Sequence, residues 1–299
     1  MQSTLLRMDG LMGINNVLDP SELQPDKYGI IELVEANDVN IDNRLSLTSR
    51  DGTILKATLT KTHSLWANST ICFVMDNGSL KQILTDYSFV VLKTGLDPNA
   101  KMSYADAKNG KVYMSNGLWI GYYSDGTVSD LAAPTDTYKN KMPAGRYLCY
   151  HKGHLYVAVE KFVYVSDGLK YNQYDVRTGF FVMNGPVIMM AAVDDGIYIA
   201  DGSVYFLSGA THHTFDRRKV CNSNAIPNSQ AEVSLSRIGD GTPGTGVLFW
   251  TEEGAYLGVS GGNATNMTND RYHPMSGFWS SAVVRQQDNY YQYITTIQS

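Results

Sequence analysis

One pattern constrains this chain more than any other: an apolar run, a tight turn and a second apolar run, repeated five times. Residues 71–75 lead through Asp76-Asn77-Gly78 into 79–84, and residues 112–114 through Ser115-Asn116-Gly117 into 118–122. Residues 155–159 turn at Glu160-Lys161 into 162–165, and 197–200 turn at Asp201-Gly202 into 203–207. The fifth copy is 247–251, Glu252-Glu253-Gly254 and 255–259. Asn-Gly and Asp-Gly accept the positive φ that primed hairpin turns demand, so each unit reads as a β-hairpin. The turns fall at Gly78, Gly117, Lys161, Gly202 and Gly254, and subtraction gives separations of 39, 44, 41 and 52 residues. A four-stranded propeller blade occupies about 40–45 residues. The near-continuous apolar runs fit strands buried on both faces. Ser124-Asp125-Gly126 and Ser166-Asp167-Gly168 add second turns that lead towards outer strands.

Two further pieces flank the array. Residues 44–59 read as strand, Asp51-Gly52 turn, strand. Residues 282–297 read as strand, a polar turn near Gln287-Asp288-Asn289, and the aromatic strand beginning Tyr290-Tyr291-Gln292-Tyr293. A closed propeller must join its ends, and pairing N- with C-terminal strands removes exposed edges. The expectation is an all-β propeller of about five or six blades over residues 44–299, closed by such pairing. A β-sandwich or two small β domains is the alternative. Residues 1–43 carry Gly10, Gly13, Pro20 and Pro25 with no clean alternation beyond 30–34, yet they are rich in Leu and Met. They are expected to form an N-terminal arm that docks on its own propeller or on a neighbouring subunit.

Composition narrows the function classes. Charged residues make up 18% of the 299, against about 25% in an average soluble protein. With 20 Tyr and 27 Gly, the chain suits strands and tight turns better than solvated helices. A net charge of −5 argues against a broad nucleic-acid footprint. Cys72, Cys149 and Cys221 are isolated thiols without metal-ligand spacing, as expected of a chain folded in a reducing cytoplasm. Met1-Gln2-Ser3-Thr4 opens no secretion signal, and no run approaches the roughly 18 apolar residues of a membrane helix.

Candidate chemistry is sparse. Asp194-Asp195 and Glu252-Glu253 are paired carboxylates, but neighbours on a strand point to opposite faces, and both pairs precede a glycine; they read as turns. His212-His213 lacks a third ligand at a usual spacing. Asp216-Arg217-Arg218-Lys219 is the one cationic cluster, and its default is a solvated outer strand or loop. The glycine-rich 241–246 precedes a strand, so it reads as a blade connection rather than a phosphate cradle. Motifs for acyl or phosphoryl transfer are missing. Asn68, Asn77, Asn263 and Asn266 match the glycosylation pattern but mean little without secretion. Trp66, Trp119, Trp250 and Trp279 are expected to pack between blades. No catalytic residue, cofactor site or metal site is assigned. A propeller hydrolase or lyase would need carboxylates or His from several blades to converge on the central cavity; Glu32, Asp106, Glu160 and Asp175 are the carboxylates to place.

The N-terminal segment is more specific. Met8-Asp9-Gly10-Leu11-Met12-Gly13-Ile14-Asn15-Asn16, followed by Leu33-Val34-Glu35-Ala36-Asn37-Asp38-Val39-Asn40-Ile41-Asp42-Asn43, resembles the opening of a family of tailed-phage virion proteins. Asp38 interrupts the usual Asn-Val pair, and Asn40 stands where Asp is usual. The resemblance continues through His63-Ser64-Leu65-Trp66, residues 110–117, Pro143-Ala144-Gly145-Arg146, residues 153–159 and residues 193–198. It implies a non-enzymatic part of a phage tail similar to the propeller-bearing nozzle or tail-tube extension proteins of short-tailed phages. The implied partners are further copies in a cyclic ring, other tail or connector proteins and DNA in transit, with no membrane insertion. The implied location is the virion, assembled in the bacterial cytoplasm. A host-surface receptor- or glycan-binding tail protein is the alternative, to be marked by clustered exposed Tyr and Trp on one face.

Overall fold

A computed structural model describes residues 10–15, 17–23, 30–33, 39–41, 47–49, 54–238, 243–268, 271–272, 274, 279–287 and 290–298. Four short strands come first: β1 (Gly10–Ile14) pairs in parallel with β2 (Ile30–Leu33), and β3 (Val39–Ile41) pairs antiparallel with β4 (Leu47–Ser49). Five antiparallel four-stranded blades follow. The first is β5 (Thr62–Ala67), β6 (Cys72–Asp76), β7 (Ser79–Ile83) and β8 (Phe89–Lys93). The second is β9 (Ser103–Asp106), β10 (Val112–Ser115), β11 (Ile120–Ser124) and β12 (Thr127–Asp130). In the third, β13 (Lys139–Lys141) stands outside the blade, paired with β17 (Gln173–Asp175). The blade itself is β14 (Tyr147–His151), β15 (His154–Val159), β16 (Phe162–Val165) and β18 (Phe180–Val182). The fourth is β19 (Met189–Ala192), β20 (Gly196–Ala200), β21 (Val204–Ser208) and β22 (Asp216–Cys221). The fifth is β23 (Ala231–Ser234), β24 (Thr245–Thr251), β25 (Gly254–Val259) and β26 (Asn263–Asn266). The hairpin of β27 (Trp279–Gln287) and β28 (Tyr290–Gln298) ends the chain.

The five hairpins legible in the sequence are the middle two strands of the five blades, which is why their spacing is regular. Their turn chemistry is local. Asn77-Gly78 joins Asp76 to Ser79 with φ of 46° and 77°, and Asp125-Gly126 joins Ser124 to Thr127 with 48° and 82°. Two successive positive φ values give the primed turn whose twist matches that of the flanking strands.

The second strands of the third and fourth blades are almost wholly apolar because successive side chains feed different cores. On β15, Leu155 and Val157 pack towards the second blade, while Tyr156 and Ala158 pack towards the fourth. On β20, Ile197 and Ile199 face the third blade, and Tyr198 and Ala200 face the fifth. Four such cores join the five blades in sequence. Each fully buried Ile, Leu or Val contributes about 1.5–3 kcal/mol, so these interfaces carry the fold.

Three expectations need correction. The 44–59 hairpin does not form: β4 pairs back to β3, and residues 54–59 carry no strand. The arm boundary at 43/44 therefore falls inside a strand pair. The terminal blade shared between N- and C-terminal strands is also absent among the described residues, because β27 pairs only with β28. That hairpin instead stands between β5 and β23, in the place of a sixth blade. Trp250 of β24 stacks on Tyr293 of β28, and the Tyr293 hydroxyl donates to the Ser229 carbonyl. The N-terminal strands meet the same region, where Glu32 pairs with Arg271 at 3.0 Å and accepts from Asn15 Nδ2 at 2.7 Å.

Candidate functional site

The inner strands surround an axial cavity of about 700 Å³. Side chains of β5, β9, β14, β19, β23 and β27 line it, so the C-terminal hairpin supplies the sixth wall. Its charged lining is Lys101, Asp106, Lys108, Glu232 and Arg285. A smaller recess of about 170 Å³ at one rim collects Asp106, Lys108, His151, Lys152, Asp194 and Glu232.

Several of these groups join blades. Asp106 accepts from Asn68 Nδ2 of the first blade at 3.1 Å and from the Lys108 amide at 2.9 Å, and it pairs with Lys108 Nζ at 3.3 Å. Burial raises its pKa, but these donors outweigh burial and leave it below the usual value. Asp194 accepts from the Thr245 amide at 3.0 Å and Asp195 from the Gly261 amide at 2.7 Å, which straps the fourth blade to the fifth. Hydroxyls do the same elsewhere: Ser64 Oγ accepts from the Met102 amide at 2.8 Å and Ser103 Oγ from the Leu148 amide at 3.0 Å. Glu232 stands apart on the cavity wall. The protein around it raises its carboxyl, with Lys108 opposing and Asp106 adding to the effect.

His151 is 4% exposed, and its Nε2 has no hydrogen-bond partner among the described residues. Burial, reinforced by Lys152, lowers it to about 4 against the pull of the Val193 backbone and Asp195, so it is a neutral imidazole at pH 7. Lys101 is also lowered by burial. The Cys72 thiol is raised by burial, which disfavours the nucleophilic thiolate. Among the described residues no three His, Cys, Asp or Glu side chains gather as a metal site.

The paired carboxylates, Glu160, Asp175, His212 and the cationic cluster fall outside the axial cavity, whereas Trp66, Gly244 and Thr245 line it. Asp194-Asp195 and Glu252-Glu253 are turn residues. Glu160 lies in the β15–β16 turn. Asp175 sits between Arg177 Nη2 at 3.0 Å and Lys139 Nζ at 3.4 Å, and Arg177 holds it far below the ordinary carboxylate range. His212 bonds the Thr178 carbonyl at 2.7 Å from a short 3-10 turn. The cationic cluster forms β22: Arg217 lies over Tyr205 and pairs with Asp201, while Arg218 donates to the Gly261 carbonyl. Residues 243–244 lead into β24, which begins at Thr245, inside the fifth blade rather than linking blades; 239–242 lie outside the described residues. Trp66 stacks on Phe73 and Tyr104 between the first two blades. Trp119 donates to Asp130 at 2.6 Å, and the Trp279 side chain lies outside the described residues. Of the inner-strand charges, Asp106 was a named candidate and Glu232 was missed, because β9 and β23 are short strands without apolar patterning. Among the described aromatics, Tyr87 and Tyr138 are more than half exposed, and they lie apart, in the first blade and before β13.

No protein-family model matches the chain, and no curated protein aligns with it. Solved β-propellers resemble it in fold. The extracellular domain of BT4673 from B. thetaiotaomicron superposes with a TM-score of 0.50 at 16% identity, covering 80% of this chain and 31% of that one. The Neurospora crassa Pan2 WD40 domain gives 0.45 at 9% identity, over 71% and 65% of the two chains. A catalytically inactive virginiamycin B lyase from Staphylococcus aureus gives 0.47 at 10%, over 87% of each. At these identities the likeness shows the propeller fold and nothing of the activity. None of the three is a virion protein.

Proposed function

We propose that the chain is a structural subunit of a tailed-phage virion, a nozzle or hub ring component bordering the DNA-delivery path. The reading rests first on the resemblance carried by residues 8–16 and 33–43 and by the later motifs. The observation that best supports it is how the charged groups are used: Asp106, Asp194, Asp195, Arg217 and Arg218 are each engaged within or between blades. Such cross-ties suit a rigid block. The axial cavity between the inner strands has a volume of only about 700 Å³. A duplex whose major groove alone is about 12 Å wide does not thread it. In this reading DNA passes through the lumen of a ring of subunits, and heterologous contacts between copies generate that ring.

Mass spectrometry of gradient-purified tailed particles from cells carrying this gene tests the assignment. The chain is expected at a fixed stoichiometry to the portal or tail proteins in intact particles. Its consistent absence from them would overturn the reading. The receptor-binding alternative predicts particles that assemble without the chain but fail to adsorb to the host surface.

A further inference from the structure

We infer that the sixth blade position is half filled by design and is completed by the strand pair β3–β4 of a neighbouring copy of this chain. The inference builds on the ring-forming reading above. Residues 282–285 of β27 line the axial cavity beside the inner strands of the five blades, so β27 is an inner strand and β28 a second strand. Every other blade continues to a third and a fourth strand; here, among the described residues, nothing pairs with the outer edge of β28.

Three features show that this edge is suited to pairing. The nine residues of β28, Tyr290–Gln298, contain no charge and no proline, the devices that normally block an edge strand. They are rich in Tyr, Ile and Thr, which favour strands. The flanking blades also leave apolar surface open towards the missing strands. Val91 of the first blade is 54% exposed, and Ile83, Phe89 and Leu257 are half-buried.

The occupant follows from counting strands. Two are missing, and outside the four-stranded blades the described residues hold two antiparallel pairs besides the C-terminal hairpin: β13–β17, whose second strand lies in the chain between β16 and β18 of the third blade, and β3–β4, which precedes all five blades. The three-residue strands of β3–β4 match the length of the outer strand β18. In the single chain β3 and β4 pair with each other and not with β28, so the unit is available to a second copy. Each subunit then donates one strand pair and accepts one, a head-to-tail contact that closes into a ring.

Complementation tests this. Deleting residues 1–49 removes the donor, and Ile294→Lys puts a charge on a side chain that is 40% exposed at the acceptor edge. The wild-type chain is expected to be a closed oligomer by light scattering. Each variant alone is expected to be monomeric, and an equimolar mixture is expected to give one-to-one heterodimers that grow no further. A monomeric wild type, an oligomer unaffected by the deletion, or a mixture that stays monomeric would overturn the inference. Should the deleted chain not fold, the Ser49→Cys, Gln292→Cys double variant replaces it: oxidation should cross-link copies, and purely monomeric chains after oxidation refute the contact. Particle composition, the test of the virion reading, is independent of these outcomes.

Discussion

The buried imidazole of His151 makes the stability of the fold depend on pH in a calculable way. In the unfolded chain a histidine titrates near 6.5; in the folded chain burial at the cavity rim lowers His151 to about 4. Below pH 6.5 the unfolded state therefore binds more protons, and stability falls as the pH drops towards 4. Above 6.5 the contribution is fully present, and below about 4 both states are protonated and the slope ends. At about 1.4 kcal/mol per pH unit the gap corresponds to about 3 kcal/mol, and water at the rim reduces this to about 2–3 kcal/mol. His151→Leu removes the proton site at similar volume. Urea unfolding of both proteins at half-unit steps from pH 7.5 to 4 isolates the effect, because His63 and His212, also lowered by burial, contribute equally to both. The difference in unfolding free energy between variant and wild type should shift in the variant's favour by about 2–3 kcal/mol over that range. Parallel curves would refute the assignment of a neutral, buried His151.

Other substitutions test other joints. Trp250→Ala removes the stack against Tyr293 and should cost about 3–5 kcal/mol, with faster proteolysis within 279–298 as the specific sign. Asp201 accepts from the Asn184 amide at 2.8 Å and pairs with Arg217 at 3.3 Å, its side chain 2% exposed. Asp201→Ala should lower stability by about 3–5 kcal/mol, measured by chemical denaturation, since it strands the Arg217 charge over Tyr205. A methyl group on Gly258 would lie 2.7 Å from the Tyr198 ring, so Gly258→Ala should cost about 1–3 kcal/mol in thermal melts, and Tyr198→Leu in the same chain should recover part of it.

The propeller was legible where burial is two-sided. Residues 155–165 and 197–207 announce themselves because both faces of the middle strands are apolar and the turns are chemically explicit. Residues 282–297 were legible from two β-branched and aromatic runs around a polar turn, not from two-sided burial. Outer strands such as β12 and β22 are polar and exposed, so they carry no periodic signal. The 44–59 hairpin misled because Asp51-Gly52 between apolar residues matches a hairpin locally, whereas β4 finds its partner upstream in β3. The axial cavity was hidden because its lining is assembled from six strands far apart in the sequence. The link from Asp194 to Thr245 spans 51 positions, and no local rule predicts it.

That residues 279–298 form the sixth wall has a consequence for synthesis. Blades one to five can dock as they emerge, each on its predecessor, through contacts close in sequence. The first blade's free side, however, waits for β27, about 190 residues later than the end of β8. At about 5–20 residues per second on the ribosome, that side stays open for about 10–40 s. Throughout that interval the nascent chain is an open stack of blades rather than a ring, and the side of β5 that β27 will meet is free for contact with neighbouring chains until residues 279–298 are made.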